Sequence, residues 1–475
     1  MQSREAWSIG WVAGAVLLSA AAAAQPPLAA LGPAIVLAAL AWRWPDTVLG
    51  VVAFVVLALR PSLDIFSERR AGLGPLAWQP AALCGAVVLF AGAVLAVRRR
   101  RDGKRIWPDA EVLAAHRWLA LALAILVFSG ARLYGSMGLA EGVRELGRVA
   151  SIVAAFLSVW WWLEGRPDRA RRGWLFLVLG LIPPLAAAGW QLITGRGFWE
   201  PGSGLRIQGT FSHPNSFAQY LAPFVVFAIV GIPGARFPGK VWRIAAALGL
   251  SLLIVLTYSR TTILVLATSL VALVLMQLWW RGRRSAGPVL AVLLVAAVGW
   301  LAIGGQIRQR FADLSFSGAV ENARVGRSEN SFGWRLLNWR GLVLRGMDHP
   351  FTGHGAGMTT HLNPLVNENN GIPFNAHNDF VRFFFEGGVF GLACYILYGL
   401  LLCRWAVRWG RMLGGESAAI AATLVAMIFL TAGMTELSLQ TANLYTLYGM
   451  LALADAPWRR ATTAAPRVPA PATNQ

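Results

Sequence analysis

Long apolar runs recur along almost the whole chain, and they constrain its fold more than any other feature. Each run is about 15–22 residues long, and a helix of about 20 apolar residues is what crosses a bilayer. Composition agrees, because the 475-residue chain is 56% hydrophobic and only 13% charged, whereas soluble domains carry about 25% charged residues. The sequence therefore predicts an all-α polytopic membrane protein and excludes a cytosolic enzyme, a disordered regulator and a secreted disulfide scaffold.

The apolar runs predict a bundle of about 12–14 transmembrane helices, the range reflecting two short runs near the N-terminus. The candidate spans are 8–24, 28–42, 47–60, 77–97, 116–132, 149–163, 174–194, 214–232, 243–258, 261–280, 287–305, 380–402, 417–435 and 440–455. The first run follows Arg4 directly and lacks a convincing cleavage site. It is therefore expected to be a retained signal anchor.

The net charge of +20 comes almost entirely from arginine. In a soluble protein this balance would suggest a nucleic-acid partner, but here basic residues collect in every second loop between the apolar runs. The positive-inside rule accounts for that distribution and predicts that these loops and both termini are cytoplasmic. The lipid bilayer, and no nucleic acid, is the expected partner. The arginines on the opposite, outer side are the ones that topology leaves unexplained.

Four regions follow from this pattern. Residues 1–305 are predicted to form an N-terminal transmembrane bundle of about eleven spans, and residues 379–456 the C-terminal transmembrane helices. Between them, residues 306–378 form one long outer loop, too long for a connector and too small and polar for a core of its own. This loop is expected to be partly helical and to fold onto the bundle. The Ala-, Pro- and Thr-rich residues 457–475 predict a disordered cytoplasmic tail.

Cysteine usage indicates neither a disulfide framework nor a zinc site. Cys84, Cys394 and Cys403 lie in or beside apolar runs and form no Cys-x-x-Cys pair. Histidine placement is a first functional indication, because five of the six histidines fall on the predicted outer side. The ordinary polarity of outer loops would give the same trend.

Two short outer segments carry an arginine next to a span. Arg206 precedes the eighth span, where Ser212 is a predicted N-cap and Pro214 a first-turn residue. Helix N-termini attract anions, but this segment alone fits an ordinary capped helix with a solvated arginine. Arg260 lies in the very tight turn 257–262, against the positive-inside trend. Snorkelling to the interface would explain it, but so tight a hairpin favours a cation that faces a cavity and binds phosphate.

The long outer loop contains a predicted short helix with Arg335 one turn before Trp339. Leu336, Trp339 and Val343 are spaced to share one face, which is expected to pack on the bundle. An amphipathic interfacial helix with its arginines in water accounts for this pattern about as well.

The strongest constellation begins where the outer loop re-enters the membrane, at His377. A histidine near neutral pKa at a membrane mouth suits a general base, although it could also cap the loop. Asp379, Arg382 and Glu386 follow within the next helical turns. Charges inside a membrane are costly and are usually functional or paired, and Arg382 with Glu386 has the spacing of an ion pair.

These four constellations, in this order, resemble the O-antigen ligase and O-antigen polymerase superfamily of bacterial membrane glycosyltransferases. The most specific match is His377-Asn378 followed, after nine intervening residues, by Gly388-Val389-Phe390-Gly391, which is similar to the ligase signature. The other matching elements are Arg206 with Gly209-Thr210-Phe211 and Pro214-Asn215, Ser259-Arg260, Arg335 with Trp339 and, more loosely, Arg60 to Asp64.

The resemblance implies a multi-pass protein of the bacterial inner membrane whose active site faces the periplasm or the cell exterior. Its donor would be a glycan on undecaprenyl diphosphate, and its acceptor a hydroxyl of lipid A-core or of another glycan. Arg206, Arg260 and Arg335 would hold the diphosphate, and His377 would be the general base of an inverting displacement that needs no metal and no other cofactor. Asn215, Trp339, Asn378, Asp379 and Glu386 would support the site.

Two alternatives stay open. A repeat-unit polymerase would use the same donor and the same base, and the ligase signature favours a ligase only slightly. A lipid-linked glycan transporter would also need many helices and a charged cavity, but it predicts broken helices repeated in two halves. Pro183-Pro184 is the only clear break within a predicted span, and it has no counterpart in the other half.

Overall fold

A computed structural model describes residues 31–66, 80–164, 166–200, 204–230, 239–281, 331–366, 373–413, 416–435 and 441–455. Over these residues the fold is helical apart from one small hairpin, which confirms the predicted all-α class. The helices are α1 (Leu31–Arg43), α2 (Pro45–Phe54), α3 (Pro80–Arg101), α4 (Ala110–Leu163), α5 (Pro167–Thr194), α6 (Pro214–Val230), α7 (Lys240–Leu256), α8 (Arg260–Arg281), α9 (Ser331–Gly346), α10 (Thr359–Leu362), α11 (Asp379–Leu413), α12 (Glu416–Met434) and α13 (Thr441–Asp455). Helix α2 continues as a π-helical turn, Val55–Leu59, and a 3-10 turn, Arg60–Phe66.

Every candidate span that falls on described residues overlaps one of these helices. By length and composition, five described segments could cross a membrane: Pro45–Asp64, Pro80–Arg101, Ala110–Leu163, Asp168–Thr194 and Asp379–Arg408. Shorter apolar helices accompany them, so the polytopic membrane architecture is confirmed. The candidates 8–24 and 287–305 lie outside the described residues, as do the predicted tail and the boundary at 305, and the total number of spans stays a prediction.

Helix α4 contains two predicted spans, and it bends back on itself between them at Gly135, whose φ is 58°. Gly130 and Gly138 meet across the bend, since a Cβ on Gly138 would lie 2.0 Å from the Gly130 carbonyl oxygen. A straight helix would separate residues eight positions apart by about 12 Å. The sequence predicts that residues 133–148 lie outside both spans. In the structure, most of this segment forms the start of the second arm of α4, which follows the bend, and Glu145 on this arm is buried in the bundle.

Helix α11 bends in the same way at Gly388, whose φ is 62°. The rings of Phe383 and Tyr395 stack with centroids 4.1 Å apart, although twelve residues of straight helix would span about 18 Å. The short arm, residues 379–387, therefore folds back along the start of the long arm, and the predicted span 380–402 is not one continuous helix. The segment before α10 holds the bend, because the Val389 N–H donates to the Pro350 carbonyl at 2.8 Å.

Part of the long outer loop packs on the bundle as α9, in line with the expectation, but through a different face. Leu342 is fully buried in a small apolar cluster with Met358, Ala376 and Phe385, whereas Val343 is 39% exposed. The predicted face of Leu336, Trp339 and Val343 is therefore wrong by about one position. The reason is that the fully buried Asn338 takes part in a polar network that turns α9 toward the loop before α11.

A hairpin, β1 (Phe198–Glu200) with β2 (Gly204–Arg206), follows α5. Its register pairs Phe198 with Arg206. Gln191 near the end of α5 holds the next turn, since its amide donates to the Gly209 carbonyl at 3.0 Å and its oxygen accepts from the N–H groups of Gln208 and Gly209. The hairpin and this turn deliver Arg206 and the start of α6 to the same end of the bundle.

Replacing Gly388 by alanine should destabilise the fold by roughly 2–5 kcal/mol. The residue has positive φ, and an added Cβ would lie 2.2 Å from the Phe351 carbonyl carbon. The measurement is thermal unfolding of purified protein in detergent, followed by tryptophan fluorescence. Gly189→Ala is the control, because a Cβ there meets nothing within 4 Å. An unfolding transition equal to that of the control would contradict the bend at Gly388.

Candidate active site

Three helix N-termini and three loops converge at one end of the bundle. Arg206 connects two of them, because its Nε donates to the Thr257 carbonyl at 2.8 Å and its Nη2 to Asn215 Oδ1 at 3.0 Å. Arg335 on α9 reaches the first turn of α8, with its Nη1 3.4 Å from Thr261 Oγ1. His377, just before α11, lies within electrostatic range of Arg335 and His213. The structure thus brings Arg206, Arg260, Arg335 and His377 together.

Arg206 is buried, with only 4% of its surface exposed. Asn215 Oδ1 and the Thr257 carbonyl are neutral acceptors, so neither bond cancels the charge of the guanidinium. These bonds give Asn215, expected from the sequence only as a supporting residue, a definite role in orienting Arg206.

The first turn of α6 is capped by His213 rather than by Ser212, so the predicted N-cap is wrong by one position. The Asn215 N–H donates to Nδ1 of His213 at 3.1 Å, and the His213 carbonyl accepts from the N–H groups of Ser216 and Phe217. Because Nδ1 accepts this bond, the neutral ring carries its proton on Nε2. His213 thereby becomes part of the site, which the sequence analysis did not anticipate.

Arg260 is the first residue of α8, and a tight turn delivers it there. Tyr258 in this turn has φ of 52°, which is costly for a residue with a side chain. Thr257 and Ser259 stabilise the turn, since the Ser259 N–H donates to Thr257 Oγ1 at 3.2 Å. The predicted tight hairpin is therefore present, and it places Arg260 at the positive end of the helix dipole of α8.

Arg335 stands close to another cation. Burial, together with the positive charge of Arg260, lowers the pKa of the Arg335 guanidinium below its usual value. Burial is the larger cause, and the remainder reflects repulsion between the two guanidinium groups. An anion placed between them would relieve this repulsion, so the arrangement is suited to binding an anionic ligand.

His377 is half-buried and has φ of 51°, an uncommon conformation for a non-glycine residue. Its ring meets Trp334 edge to face, with centroids 5.3 Å apart. Burial, and then the positive charges of Arg335 and His213, lower the pKa of His377 to about 4. The imidazole is therefore neutral at neutral pH and free to accept a proton.

Amide and indole donors hold the backbone just before His377. Trp339 Nε1 donates to the Ala376 carbonyl at 2.9 Å, and Asn338 Nδ2 to the Asn375 carbonyl at 2.8 Å. Asn363 extends the network, with bonds of 2.7 Å to Asn338 Oδ1 and 2.6 Å to the Phe374 carbonyl. Trp339 thus supports the site through backbone positioning.

Asn378 and Asp379 anchor the start of α11. Asn378 is its N-cap, because Oδ1 accepts from the Phe380 N–H at 2.9 Å and from the Val381 N–H at 3.1 Å. Its Nδ2 donates to the Gly433 carbonyl of α12 at 2.8 Å. Asp379 is fully buried and hydrogen-bonded to Tyr395 on the long arm of α11. Both residues therefore fix the backbone that follows His377.

Glu386 belongs to a separate buried ion cluster. Arg382 bonds to Glu386 at 3.1 Å, as its spacing predicted, and also to Glu145 on the second arm of α4 at 3.1 Å. Glu145 is paired in turn with Arg148, and the Thr359 hydroxyl donates to Glu386 at 2.8 Å. Glu386 lies nine positions after His377, near the other end of the short arm of α11, so this cluster holds helices together at a distance from the histidine.

Several residues of the site escaped the sequence analysis. Asn338 and Asn363 bond to each other and to backbone carbonyls that lie far away in the chain, and no local pattern marks them. Trp334 adjoins Arg335 in the sequence, and its ring packs against Phe374 with centroids 4.9 Å apart as well as against His377. An aromatic residue next to the predicted arginine was the one signal that could have found it.

Comparison with known families agrees with this geometry. Residues 245–396 match the family model described as O-antigen ligase. The match includes Arg260, Arg335 and His377, whereas Arg206 lies before it. No curated protein matches the chain.

Replacing Arg335 by glutamine should weaken the binding of inorganic pyrophosphate by about tenfold or more, because a charge-assisted hydrogen bond contributes about 1.5–3 kcal/mol. Isothermal titration of the purified protein in detergent at low ionic strength measures this. Arg340→Gln is the matched control, since Arg340 is exposed on the same helix. Equal affinity in the two variants would show that Arg335 does not face the anion.

Proposed function

Because its O-antigen ligase domain places this chain in the O-antigen ligase family, we propose that it transfers a glycan from undecaprenyl diphosphate to an acceptor hydroxyl. The chain is thus a membrane protein of ligase or polymerase type from a family of glycosyltransferase-like enzymes. The observation that carries the finer proposal is the convergence of three arginines at one end of the bundle, where Arg335 lies beside a histidine that is neutral at neutral pH.

The three arginines are suited to a diphosphate. Arg206, Arg260 and Arg335 come from separate elements, so they can contact different phosphate oxygens of one group. As the bond to the anomeric carbon breaks, negative charge develops on the diphosphate, and the fixed cations stabilise it. The N-terminus of α8 adds its dipole in the same sense. Three guanidinium groups can thus take the part of a metal ion, and the proposed reaction uses no metal and no other cofactor.

His377 is the proposed general base. It would accept the proton of the acceptor hydroxyl while that oxygen attacks the anomeric carbon and the diphosphate leaves with the bonding electrons. Direct displacement inverts the anomeric centre. A bound diphosphate would offset the positive field of Arg335 and raise the pKa of His377 from its value of about 4. The base would therefore gain proton affinity only when the donor is in place.

The proposed site lies on the outer face of the bacterial inner membrane, facing the periplasm or cell exterior. Supporting this, the basic residues that follow α3 and precede α5 lie at the opposite end of the helices from Gln191 and the Arg206 loop. The undecaprenyl chain would lie in the bilayer beside the bundle. The acceptor would be a lipid A-core or another glycan, and a second lipid-linked repeat unit would make the protein a polymerase instead.

His377→Ala in the producing bacterium, as its only copy, should abolish transfer, because the proposed base is lost. The measurement is the size of the glycan released from undecaprenyl diphosphate. Long chains stranded on the carrier are expected for a ligase, and single repeat units for a polymerase. His361→Ala is the matched control, since His361 is 41% exposed and contacts Glu141. A normal glycan profile in His377→Ala would overturn the proposed base and favour a transporter.

The pH dependence of kcat/KM for the donor should show its acid limb near pH 4 rather than near 6.5. Protonated His377 cannot accept a proton, and its pKa in the free protein is about 4, so activity falls only as pH drops through that value. Arg335→Gln should move the limb upward, because it removes one of the charges that lower this pKa. In-vitro transfer rates across pH check both statements, and a limb that stays in place in Arg335→Gln would contradict the electrostatic coupling.

A further inference from the structure

A polar cavity of about 180 Å³ lies at the opposite end of the bundle from His377. It opens where α2 and α5 begin and where α3 and α4 end. Helix α5 sets the separation, because Arg166 precedes its first residue and Gln191 near its far end holds the turn at Gly209. Twenty-five helical residues span about 37 Å. The cavity is therefore independent of the proposed active site.

Basic side chains dominate the cavity. Five cations face three carboxylates, which leaves an excess of two positive charges in its lining. The cations are Arg98, Arg99, Lys104, Arg166 and Arg169, and the carboxylates are Asp46, Asp102 and Glu164. The N-termini of α2 and α5 meet the C-termini of α3 and α4 here, so the helix dipoles largely offset one another and the side chains decide the sign of the charge. The cavity is thus electropositive and large enough for a hydrated anionic group.

Two of the arginines form the walls. Arg99 bonds to Glu164 at 2.5 Å and to the Arg105 carbonyl at 2.9 Å. Arg169 bonds to Asp46 at 3.2 Å and to the Trp162 carbonyl at 2.7 Å. Both are more than nine-tenths buried. These bonds explain why the helix ends hold together. Arg166 also reaches Asp46 at 3.3 Å, but both side chains of that pair are more than half exposed, so solvent screens it.

The guanidinium of Arg98 can donate a further hydrogen bond to an acceptor in the cavity. Its Nη1 is buried and meets no hydrogen-bond acceptor within the described part of the chain. The carboxylate of Asp102 is 3.8 Å from its Nε, beyond hydrogen-bonding distance. A buried donor without an acceptor costs free energy, which an anionic oxygen in the cavity would recover. Arg166 and the exposed Lys104 stand at the mouth, where they can contact the same anion.

Tryptophan residues indicate the depth of this cavity in the membrane. Trp42 and Trp44 are 40% and 45% exposed beside the start of α2. The guanidinium of Arg101 lies 5.4 Å from the ring centre of Trp42, and that of Arg43 5.8 Å from Trp44. Exposed tryptophans with neighbouring arginines are typical of the membrane–water interface. The cavity therefore opens at the level of the lipid headgroups.

We propose that this cavity binds the phosphate group of an anionic membrane lipid, with Arg98, Lys104 and Arg166 as its ligands. Arg99 and Arg169 shape the site and contribute charge without giving up their own bonds. The bound headgroup joins the ends of α2, α3, α4 and α5, so it stabilises the bundle at the face opposite His377.

The test titrates the purified full-length protein, in neutral detergent, with phosphatidylglycerol and counts bound lipid by native mass spectrometry. The double variant R98Q/R166Q removes two ligands, and R100Q/R171Q removes two exposed arginines of the same helices that do not line the cavity. We expect about tenfold weaker binding in R98Q/R166Q and unchanged binding in R100Q/R171Q. The single variant K104Q should weaken binding without risk to the buried walls.

Each outcome bears on the proposal. Selective loss in R98Q/R166Q and K104Q, with weak binding of zwitterionic phosphatidylcholine to all forms, supports it. Equal loss in both double variants would mean diffuse attraction between a basic surface and anionic lipid, and would overturn the site. Equally tight binding of inorganic phosphate would assign the cavity to a soluble anion and overturn the lipid. Should R98Q/R166Q fail to fold, undiminished binding in K104Q overturns the proposal.

Discussion

The buried guanidinium of Arg382 is the interaction on which the arrangement of the helices depends. It lies between Glu145 on the second arm of α4 and Glu386 on the short arm of α11, at 3.1 Å from each. A buried charge is tolerated only when its partners are all in place, and removal of one partner costs about 3–5 kcal/mol. The pairing joins the second arm of α4, which follows the bend at Gly135, to the short arm of α11, which precedes the bend at Gly388. His377 lies five residues before Arg382, just before the start of this short arm.

The proposed active site holds several positively charged side chains close together, although like charges repel one another. The pKa values of Arg335 and His377 both lie below their usual values, because each group is buried beside another positive charge. Hydrogen bonds to neutral backbone carbonyls, such as the one from Arg206 to Thr257, hold the cations without neutralising them. The site thus places Arg335 beside the positive charge of Arg260. In the proposed reaction, a bound diphosphate would offset the charge of Arg335 and raise the pKa of His377.

Arginine side chains have different partners at the two ends of the helix bundle. Around His377, Arg206 donates to the Thr257 carbonyl and to Asn215 Oδ1, which fixes the direction of its guanidinium. At the opposite end, Arg99 and Arg169 each pair with a carboxylate and a carbonyl, so they serve the packing of helix ends. Arg98, whose nearest carboxylate is 3.8 Å away, is less constrained there, and Arg166 shares Asp46 with Arg169 in an exposed pair. This contrast separates a site suited to charge development during a reaction from one suited to static binding of a headgroup.

The sequence by itself determined the membrane architecture, the order of the helices and the four residues that meet at the site. The apolar runs predict membrane spans because their length, a local property of the sequence, matches the thickness of a bilayer. The motifs that contain Arg206, Arg260, Arg335 and His377 are likewise short stretches of sequence, so the family resemblance identifies these residues without a structure. The sequence did not determine the folded-back arms of α4 and α11, the buried face of α9, the cap at His213 or the roles of Glu145, Asn338 and Asn363. These depend on partners far away in the chain, since a glycine is a bend only where another backbone packs against it. Likewise, an asparagine side chain can position the backbone only where the fold brings a distant carbonyl group within hydrogen-bonding distance.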